Sequence, residues 1–388
     1  MKNKLFFTFI EGLSVKKILL LEKYFGGLDE AIKADEKMLT ACGVLTEKNI
    51  QKILQKKKEI DIDKELYKLM NKNVRVTFYG EADYPGRLYD IASPPWGLYY
   101  INNIPSDSAP VVSIIGARSC SEYGKSCARY FSSELAKKGV QVVSGMASGI
   151  DGIAQRQAVS IGKSFGVLGC GVDVCYPLSN RDLYDELKRS GGILSEYPLG
   201  TKPEAYRFPQ RNRIISGLSD IVLVIEAKEK SGTAITVTMA LEQGKDVFAV
   251  PGRINDRLSD GCNSLIKEGA GIAITVDDIL SELEVMKECN VFKKRSEIMK
   301  NNIKTYESCS SQKLSLVTST NYNKEQDYDF DVIIKLISDK NMSIDEIYEK
   351  GCKVGFFEIK SSRDLSIKLA EMELEGSIIN KNGLYEPN

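Results

Sequence analysis

Hydrophobic and polar positions change their period along the chain, and each change marks a different kind of structure. Over residues 1–70 apolar side chains recur at helical spacing, as at Ile18, Leu21 and Tyr24 and again at Ile50, Ile53 and Leu54. The pattern predicts helices over Val15–Tyr24, Leu28–Ala34, Glu36–Cys42 and Glu47–Lys57, with Gly26-Gly27 and Gly43 as C-terminal stops. A small helical domain of helix-hairpin-helix or SAM-like type is expected, either a packing module or a clamp on a DNA backbone. From 73 to 108 the chain reads as extended and proline-rich, with Ser93-Pro94-Pro95-Trp96 followed by the alternating run Gly97 to Ile101. This segment is expected to dock over the domain that follows.

Predominantly apolar runs at Val111–Ile115, Val140–Val143, Phe165–Leu168, Ile193–Leu194, Ile221–Ile225 and Val247–Val250, interrupted only by Ser113, Gln141 and Gly166, alternate with helical patterns. Such runs are what parallel strands buried on both faces require, so residues 71–285 are predicted to form an α/β domain with an extended, doubly wound, Rossmann-like core. Residues 286–326 lose all periodicity and read as a flexible linker. In 327–388, helical patterns at Asp331–Ser338, Ile344–Lys350 and Asp364–Glu375 precede two short apolar runs around Asn382-Gly383, a strong hairpin signal. Three helices and a hairpin describe a winged helix. Its third helix carries Asp364, Glu371, Glu373 and Glu375 against Arg363 and Lys368, a balance that favours contact with protein over contact with phosphate.

Composition narrows the chemistry. The 388 residues contain no histidine, which removes Ser-His-Asp and Cys-His catalysis and the commonest metal ligand. Nine cysteines lie scattered without a C-x-x-C pair, so neither a metal site nor a disulfide framework is expected, and no cofactor is implied. The 53 basic and 53 acidic side chains cancel, so any surface for nucleic acid must be a local patch. The sequence shows neither a membrane span nor a signal-peptide pattern, and a cytoplasmic protein is expected.

Glycines mark successive strand ends, where open α/β sheets bind their ligands. Gly116-Ala117-Arg118 follows the first parallel strand; Gly116 permits a tight turn, the next backbone N–H groups can hold an anion, and Arg118 can pair with a phosphate. The second strand ends in Ser144-Gly145-Met146-Ala147-Ser148-Gly149-Ile150-Asp151 and the third in Gly169-Cys170-Gly171, ahead of Tyr176-Pro177. The pattern matches neither a dinucleotide fingerprint nor a P-loop. A fourth stretch, Thr201 to Ile214, reads as a loop carrying Lys202, Arg207, Arg211 and Arg213 with Tyr206 and Phe208 interleaved, against the single acid Glu204. Cations for phosphates and aromatics for bases suit a single-strand groove; the same residues also suit internal ion pairs and core.

Taken in order, IIGARSCSEYG, SGMASGID, GCGVDVCYP, SEYPLG, FPQRNRIISG, EAKEKSGTAITVTMALEQG and VFAVPG resemble the DprA/Smf family of DNA-processing proteins. The resemblance implies a non-catalytic protein that binds single-stranded DNA without sequence preference, forms homodimers, and loads RecA recombinase while single-strand-binding protein is displaced, protecting incoming DNA in natural transformation. The family's DNA pocket maps onto Gly116, Arg118, Phe208, Arg211, Asn212 and Arg213, to which charge alone adds Lys202 and Arg207. Gln155 stands where the family has His and Ser148 where it often has Arg or Lys. About four phosphate contacts predict a log–log salt slope of roughly three. The alternative is a nucleotide-processing enzyme resembling phosphoribohydrolases, with Ser231-Gly232-Thr233 at a helix N-terminus and Glu242 or Glu226 as acid or base.

Overall fold

The computed structural model describes residues 1–288 together with 342–343, 346–347, 369, 378–381 and 384–387. The chain divides into two compact units, Met1–Lys313 and Leu314–Asn388.

The first unit opens with helices α1 (Lys2–Phe7), α2 (Val15–Phe25), α3 (Leu28–Lys33), α4 (Glu36–Ala41), α5 (Glu47–Glu59) and α6 (Ile62–Asn71). Ser14, Asp35, Thr46 and Asp61 start four of them by accepting a bond from the backbone N–H three residues on. Their apolar faces join one continuous core with Trp96, Leu183, Tyr184 and Ile193 of the region that follows. Trp96 Nε1 donates to the Lys4 carbonyl at 2.9 Å, and the Thr8 and Tyr99 hydroxyls meet at 2.6 Å. The helices are thereby fastened to the sheet.

Residues 73–108 do more than dock. They supply β1 (Val74–Phe78) and β2 (Gly97–Asn102), which pair antiparallel with each other, and β2 pairs antiparallel with β6 (Gly192–Ser195). The alternation from Gly97 to Ile101 is the pattern of such a strand, and the pairing covers what would otherwise be an exposed edge. Arg87, 1% exposed, lies between these strands in sequence and reaches Asp107 at 3.0 Å and Asp220 at 3.1 Å, tying the segment to the sheet.

The rest of the sheet is parallel: β3 (Val111–Gly116), β4 (Gln141–Ser144), β5 (Ser164–Val167), β6, β7 (Ile221–Ile225), β8 (Asp246–Ala249) and β9 (Gly271–Ile272). The nine strands run in the order β1-β2-β6-β5-β4-β3-β7-β8-β9. Helices α7 (Glu122–Lys137), α8 (Ile150–Val159) and α13 (Val276–Glu288) cover one face through Phe131, Leu135, Ala154 and Ile279. On the other, α10 (Arg207–Leu218), α11 (Gly232–Glu242) and α12 (Asp260–Lys267) pack through Ile214, Leu218, Val237 and Cys262. Helix α9 (Arg181–Ser190) joins the core shared with the N-terminal helices through Leu183 and Leu187. This is the doubly wound Rossmann-like fold expected, with its strand order reversing between β3 and β7.

The second unit contains β10 (Met342–Ser343), β11 (Ile378–Lys381) and β12 (Leu384–Pro387) in the antiparallel order β10-β12-β11. Lys381 faces Leu384 across the hairpin that Asn382-Gly383 predicts. Residues 286–288 of the expected linker end α13; its remainder, and most of the three predicted helices of the winged helix, lie outside the described residues. Among the described residues no helix is long and apolar enough to cross a membrane.

Candidate nucleic-acid interface

The stretch read as a fourth basic loop is largely helical: α10 begins at Arg207. Pro209 is accepted in its first turn, where backbone N–H groups have no helical partner. This change of conformation sorts the basic residues. Successive helical positions turn by about 100°, so Arg207, Phe208 and Arg211 share one side while Arg213 points away. Arg213 pairs with Glu196 at 2.6 Å. Arg207 reaches Glu11 at 3.4 Å and Glu204 at 3.6 Å, donates to the Lys202 carbonyl, and lies against the Tyr197 and Tyr206 rings. The Tyr206 hydroxyl also turns to Glu11. Lys202 is exposed, and Asn212 accepts from Arg211 Nε through its side-chain oxygen.

What remains converges. Arg118, Phe208 and Arg211 line one pocket with Gly145, Ser148 and Tyr176 at the carboxyl ends of β3, β4 and β5. Its volume of about 70 Å³ holds several water molecules at roughly 10–15 Å³ each, a size suited to a phosphate or the edge of one base. Arg211 is buried beneath it, 5% exposed, and donates to the carbonyl oxygens of Gly145 and Val167. Gly145 is glycine because a Cβ would stand 2.7 Å from that guanidinium. Burial pulls the Arg211 pKa down to about 10, with Asp151 opposing the fall and Arg118 adding to it, so the group stays cationic near neutral pH. Burial likewise pushes the Asp151 carboxyl up, against Arg211 and the Gly145 N–H, which hold its charged form. Arg118 is exposed and, among the described residues, its guanidinium has no hydrogen bond or ion pair. Two cations therefore adjoin the pocket, one fixed below it and one free at its rim.

Gly116 has a different role from the one its sequence suggested. A Cβ there would run into the Ile225 carbonyl oxygen of the adjacent strand, and the Ala117 N–H is taken by the Glu226 carbonyl at 2.7 Å. At the start of α7 the anion is internal: the Glu226 carboxylate accepts from both the backbone N–H and the hydroxyl of Ser121. Glu226 is 3% exposed and sits at a φ of 52°, and Glu242 is exposed on α11. Ser231 occupies the N-cap of α11 without a side-chain capping bond, and its buried hydroxyl oxygen has no partner among the described residues.

Gln155, fully buried, accepts from Met146 N–H at 2.9 Å and donates to the Phe165 carbonyl at 2.8 Å, holding the β4 end against β5. Ser148 is exposed at the pocket rim. Tyr176, absent from the residues singled out as a site, stands 5.4 Å from the Phe208 ring. Its loop was legible through Tyr176-Pro177, but nothing in the sequence brings it to Phe208.

Residues 75–284 match the model of the DNA recombination-mediator protein A family. The chain is 38% identical over 275 residues to the DNA processing protein DprA of Streptococcus pneumoniae, covering 70% of this chain and 95% of that protein. The X-ray structure of DprA from S. pneumoniae superposes with a TM-score of 0.64 at 34% identity, covering 73% of this chain and 98% of that one. A DNA processing protein A from Helicobacter pylori, whose structure concerns its single-stranded DNA binding mode, gives a TM-score of 0.50 at 32% identity, with 54% of this chain and 95% of that one covered. With a family match over most of the sheet and a relative aligned along nearly its whole length, the chain belongs to the DNA recombination-mediator protein A family, the DprA/Smf proteins.

Proposed function

We propose that the protein binds single-stranded DNA without sequence preference in the pocket at the carboxyl ends of β3, β4 and β5. In this reading it is a non-catalytic mediator in the cytoplasm of a bacterium, acting as a homodimer. It protects an incoming strand and loads RecA recombinase while single-strand-binding protein is displaced. The observation that carries the reading is Arg118, exposed and unpaired among the described residues, beside buried Arg211 and Phe208. A free cation beside an aromatic ring suits a phosphate and its base. The single-stranded DNA binding mode described for the H. pylori relative supports it.

A non-catalytic role is supported by how the reactive side chains are engaged. Asp151 accepts from the Gly145 N–H below the pocket, and Glu226 is spent on Ser121. Burial pushes the Cys170 thiol up to about 11, which keeps it protonated near neutral pH. The nucleotide-processing alternative loses Glu226 as a free base, which leaves it only Glu242, exposed on α11.

Because Arg207 and Arg213 are held by acids, three cations remain as candidates for phosphate: Arg118, Arg211 and Lys202. At about 0.7 per contact the log–log salt slope falls to roughly two. Fluorescence anisotropy of a labelled oligo-dT across a salt series, for wild type beside Arg118→Glu, tests this. Tight binding with that slope, lost in the variant, is expected. Absence of binding at low salt, or equal binding by Arg118→Glu, would overturn the assignment.

A further inference from the structure

One wall of the pocket is held from outside it. The loop after β5, residues 169–177, contributes Gly169, Cys170, Tyr176 and Pro177 to the lining. The start of this loop is well fixed: the Gly171 N–H donates to the Thr201 carbonyl at 3.0 Å, and the Tyr184 hydroxyl donates to the Val172 carbonyl at 2.7 Å. Beyond Val172 such ties become scarce. Val174 and Cys175 add partly buried apolar contact. Among the described residues, however, the hydrogen bonds that join 173–177 to chain outside 169–180 are those of the Asp173 carboxylate.

Asp173 divides its two oxygens between distant parts of the chain. Oδ1 accepts from the Gly200 N–H at 2.8 Å, and Oδ2 accepts from Lys72 Nζ at 2.6 Å, 101 residues away in sequence. Gly171 is glycine to permit this approach, since a Cβ there would stand 2.7 Å from Asp173 Oδ1 and from the Pro198 carbonyl oxygen. The Asp173 side chain is 11% exposed. A carboxylate so nearly buried carries a desolvation cost for each oxygen left without a donor, and Lys72 supplies a countercharge along with its bond.

Lys72 is itself placed by structure on both sides. It caps the C-terminus of α6, with its N–H on the Lys68 and Met70 carbonyls. Asn73, at a φ of 50°, then turns the chain into β1, which is joined through β2 to β6. Lys72 thus stands where the N-terminal helices meet the sheet, and no residue of those helices lines the pocket. Their second contact near the site, Glu11 with Arg207, is one restraint among several on that arginine. On Asp173, by contrast, Lys72 is the one cation paired among the described residues.

We propose that Lys72 is a positioning residue for the pocket. Through Asp173 it holds the loop that carries Tyr176 and Pro177, so the N-terminal helices set the affinity of a site to which they contribute no lining residue. The proposal rests on the reading of this pocket as the DNA site, and Lys72 itself touches no phosphate in it. Without the bond the loop leaves the pocket for part of the time, and affinity falls with the fraction of competent molecules. A partly exposed pair biases such an equilibrium by a factor of up to about five.

The test is anisotropy of labelled oligo-dT across a salt series with the full chain. Lys72→Ala is expected to weaken binding by about two- to fivefold, with the salt slope unchanged. Asp173→Asn, which keeps an oxygen for the Gly200 N–H and loses the charge, costs a similar factor, and Lys72→Ala adds nothing to it. Lys72→Arg, which keeps the charge, binds as wild type. So does Lys68→Ala, which breaks the ion pair with Glu65 inside the same helix. A slope lowered by about 0.7 in Lys72→Ala, persisting beside Asp173→Asn, would overturn the proposal by placing Lys72 on a phosphate. Tighter binding by Asp173→Asn would overturn it too, because Lys72 would then mask a repelling charge. No loss in Lys72→Ala, or an equal loss in Lys68→Ala, would leave Lys72 without a positioning role. Trp96, the single tryptophan, donates from its indole to the Lys4 carbonyl and reports whether the helices stay seated. Its emission is expected to be the same in Lys72→Ala as in wild type; a red shift accompanying the loss would assign the loss to unseated helices and defeat the proposal. If Lys72→Ala binds as wild type while Arg118→Glu does not bind, the pocket stands as the DNA site and the positioning role alone falls. Absence of wild-type binding at low salt would sink both.

Discussion

Two neighbouring parts of the sheet's carboxyl edge meet the same physical problem in opposite ways. At the start of α7, beside the point where strand order reverses, backbone and hydroxyl donors face an anion, and the protein supplies it as the buried carboxylate of Glu226. At the ends of β3, β4 and β5, Arg211 and Arg118 adjoin an open pocket, and Asp151 lies beneath with the Gly145 N–H. Donors at a helix start attract an anion, and so do the guanidinium groups beside the pocket. Where the chain closes the site with its own acid, the result is structure; where a cation is left unpaired, a partner for an outside anion remains. The lesson is that a glycine-marked strand end does not by itself identify a ligand site. Its charge balance in the folded protein does.

The sharpest way to break this comparison is Arg211→Ala. It removes a buried cation that holds two carbonyl oxygens and faces Asp151. Breaking such a buried arrangement costs about 3–5 kcal/mol, so the urea midpoint is expected to fall steeply and DNA binding to vanish. A loss below about 1 kcal/mol would mean that the guanidinium is not an anchor of the pocket. Arg118→Glu is the complementary case: stability stays within about 0.5 kcal/mol because the side chain is exposed and unpaired, while affinity for oligo-dT falls by about tenfold or more. Glu226→Gln comes next. It keeps the shape but removes the charge from the start of α7, for about 1 kcal/mol of stability, with DNA affinity changed by less than about twofold. A drop in affinity like that of Arg118→Glu would join the two sites into one and end the distinction.

These outcomes follow residues whose fates were only partly legible in the sequence. The parallel core was legible because strands buried on both faces have to be almost wholly apolar: Ile221–Ile225 is so throughout, and Val111–Ile115 is broken only by Ser113, whose buried hydroxyl donates to the Ile215 carbonyl. The hairpin of the second unit followed from Asn382-Gly383 for a similarly local reason. β1 and β2 were read as a cover because prolines between them hid two short strands, and pairing with β6 is a long-range fact. Arg118 and Phe208, singled out by chemistry and position, line one pocket together. Arg207 and Arg213, read as cations of an open loop, are paired in the folded protein for two different reasons: helix α10 turns Arg213 away toward Glu196, whereas Arg207, on the same side as Arg211, is held by Glu11, Glu204 and two tyrosine rings. Of the acids that hold them, Glu11 lies far away in sequence and Glu196 just beyond the end of β6, while Glu204 stands only three residues before Arg207. Gly116 looked like a ligand turn, yet its requirement is set by the carbonyl of a strand that arrives more than a hundred residues later.

The smallest effect expected is also the one that tests where the pocket ends. Glu11 stands between α1 and α2, 45% exposed, and pairs with Arg207, whose side chain is 11% exposed and enclosed by Tyr197 and Tyr206. Partly exposed pairs of this kind contribute about 0–1 kcal/mol, so Glu11→Gln leaves the unfolding midpoint nearly unchanged. Its consequence for DNA depends on whether Arg207 is kept from phosphate by charge or by geometry. If by charge, neutralising Glu11 raises affinity for oligo-dT a few-fold and steepens the salt slope by about 0.7, one added contact. If by geometry, Glu204 at 3.6 Å, the Lys202 carbonyl and the two tyrosines retain the guanidinium, and the slope stays as in wild type. The second outcome is the one expected, because four of the five groups that restrain Arg207 survive the substitution. A steeper slope would instead extend the cationic surface from the pocket to the N-terminal helices.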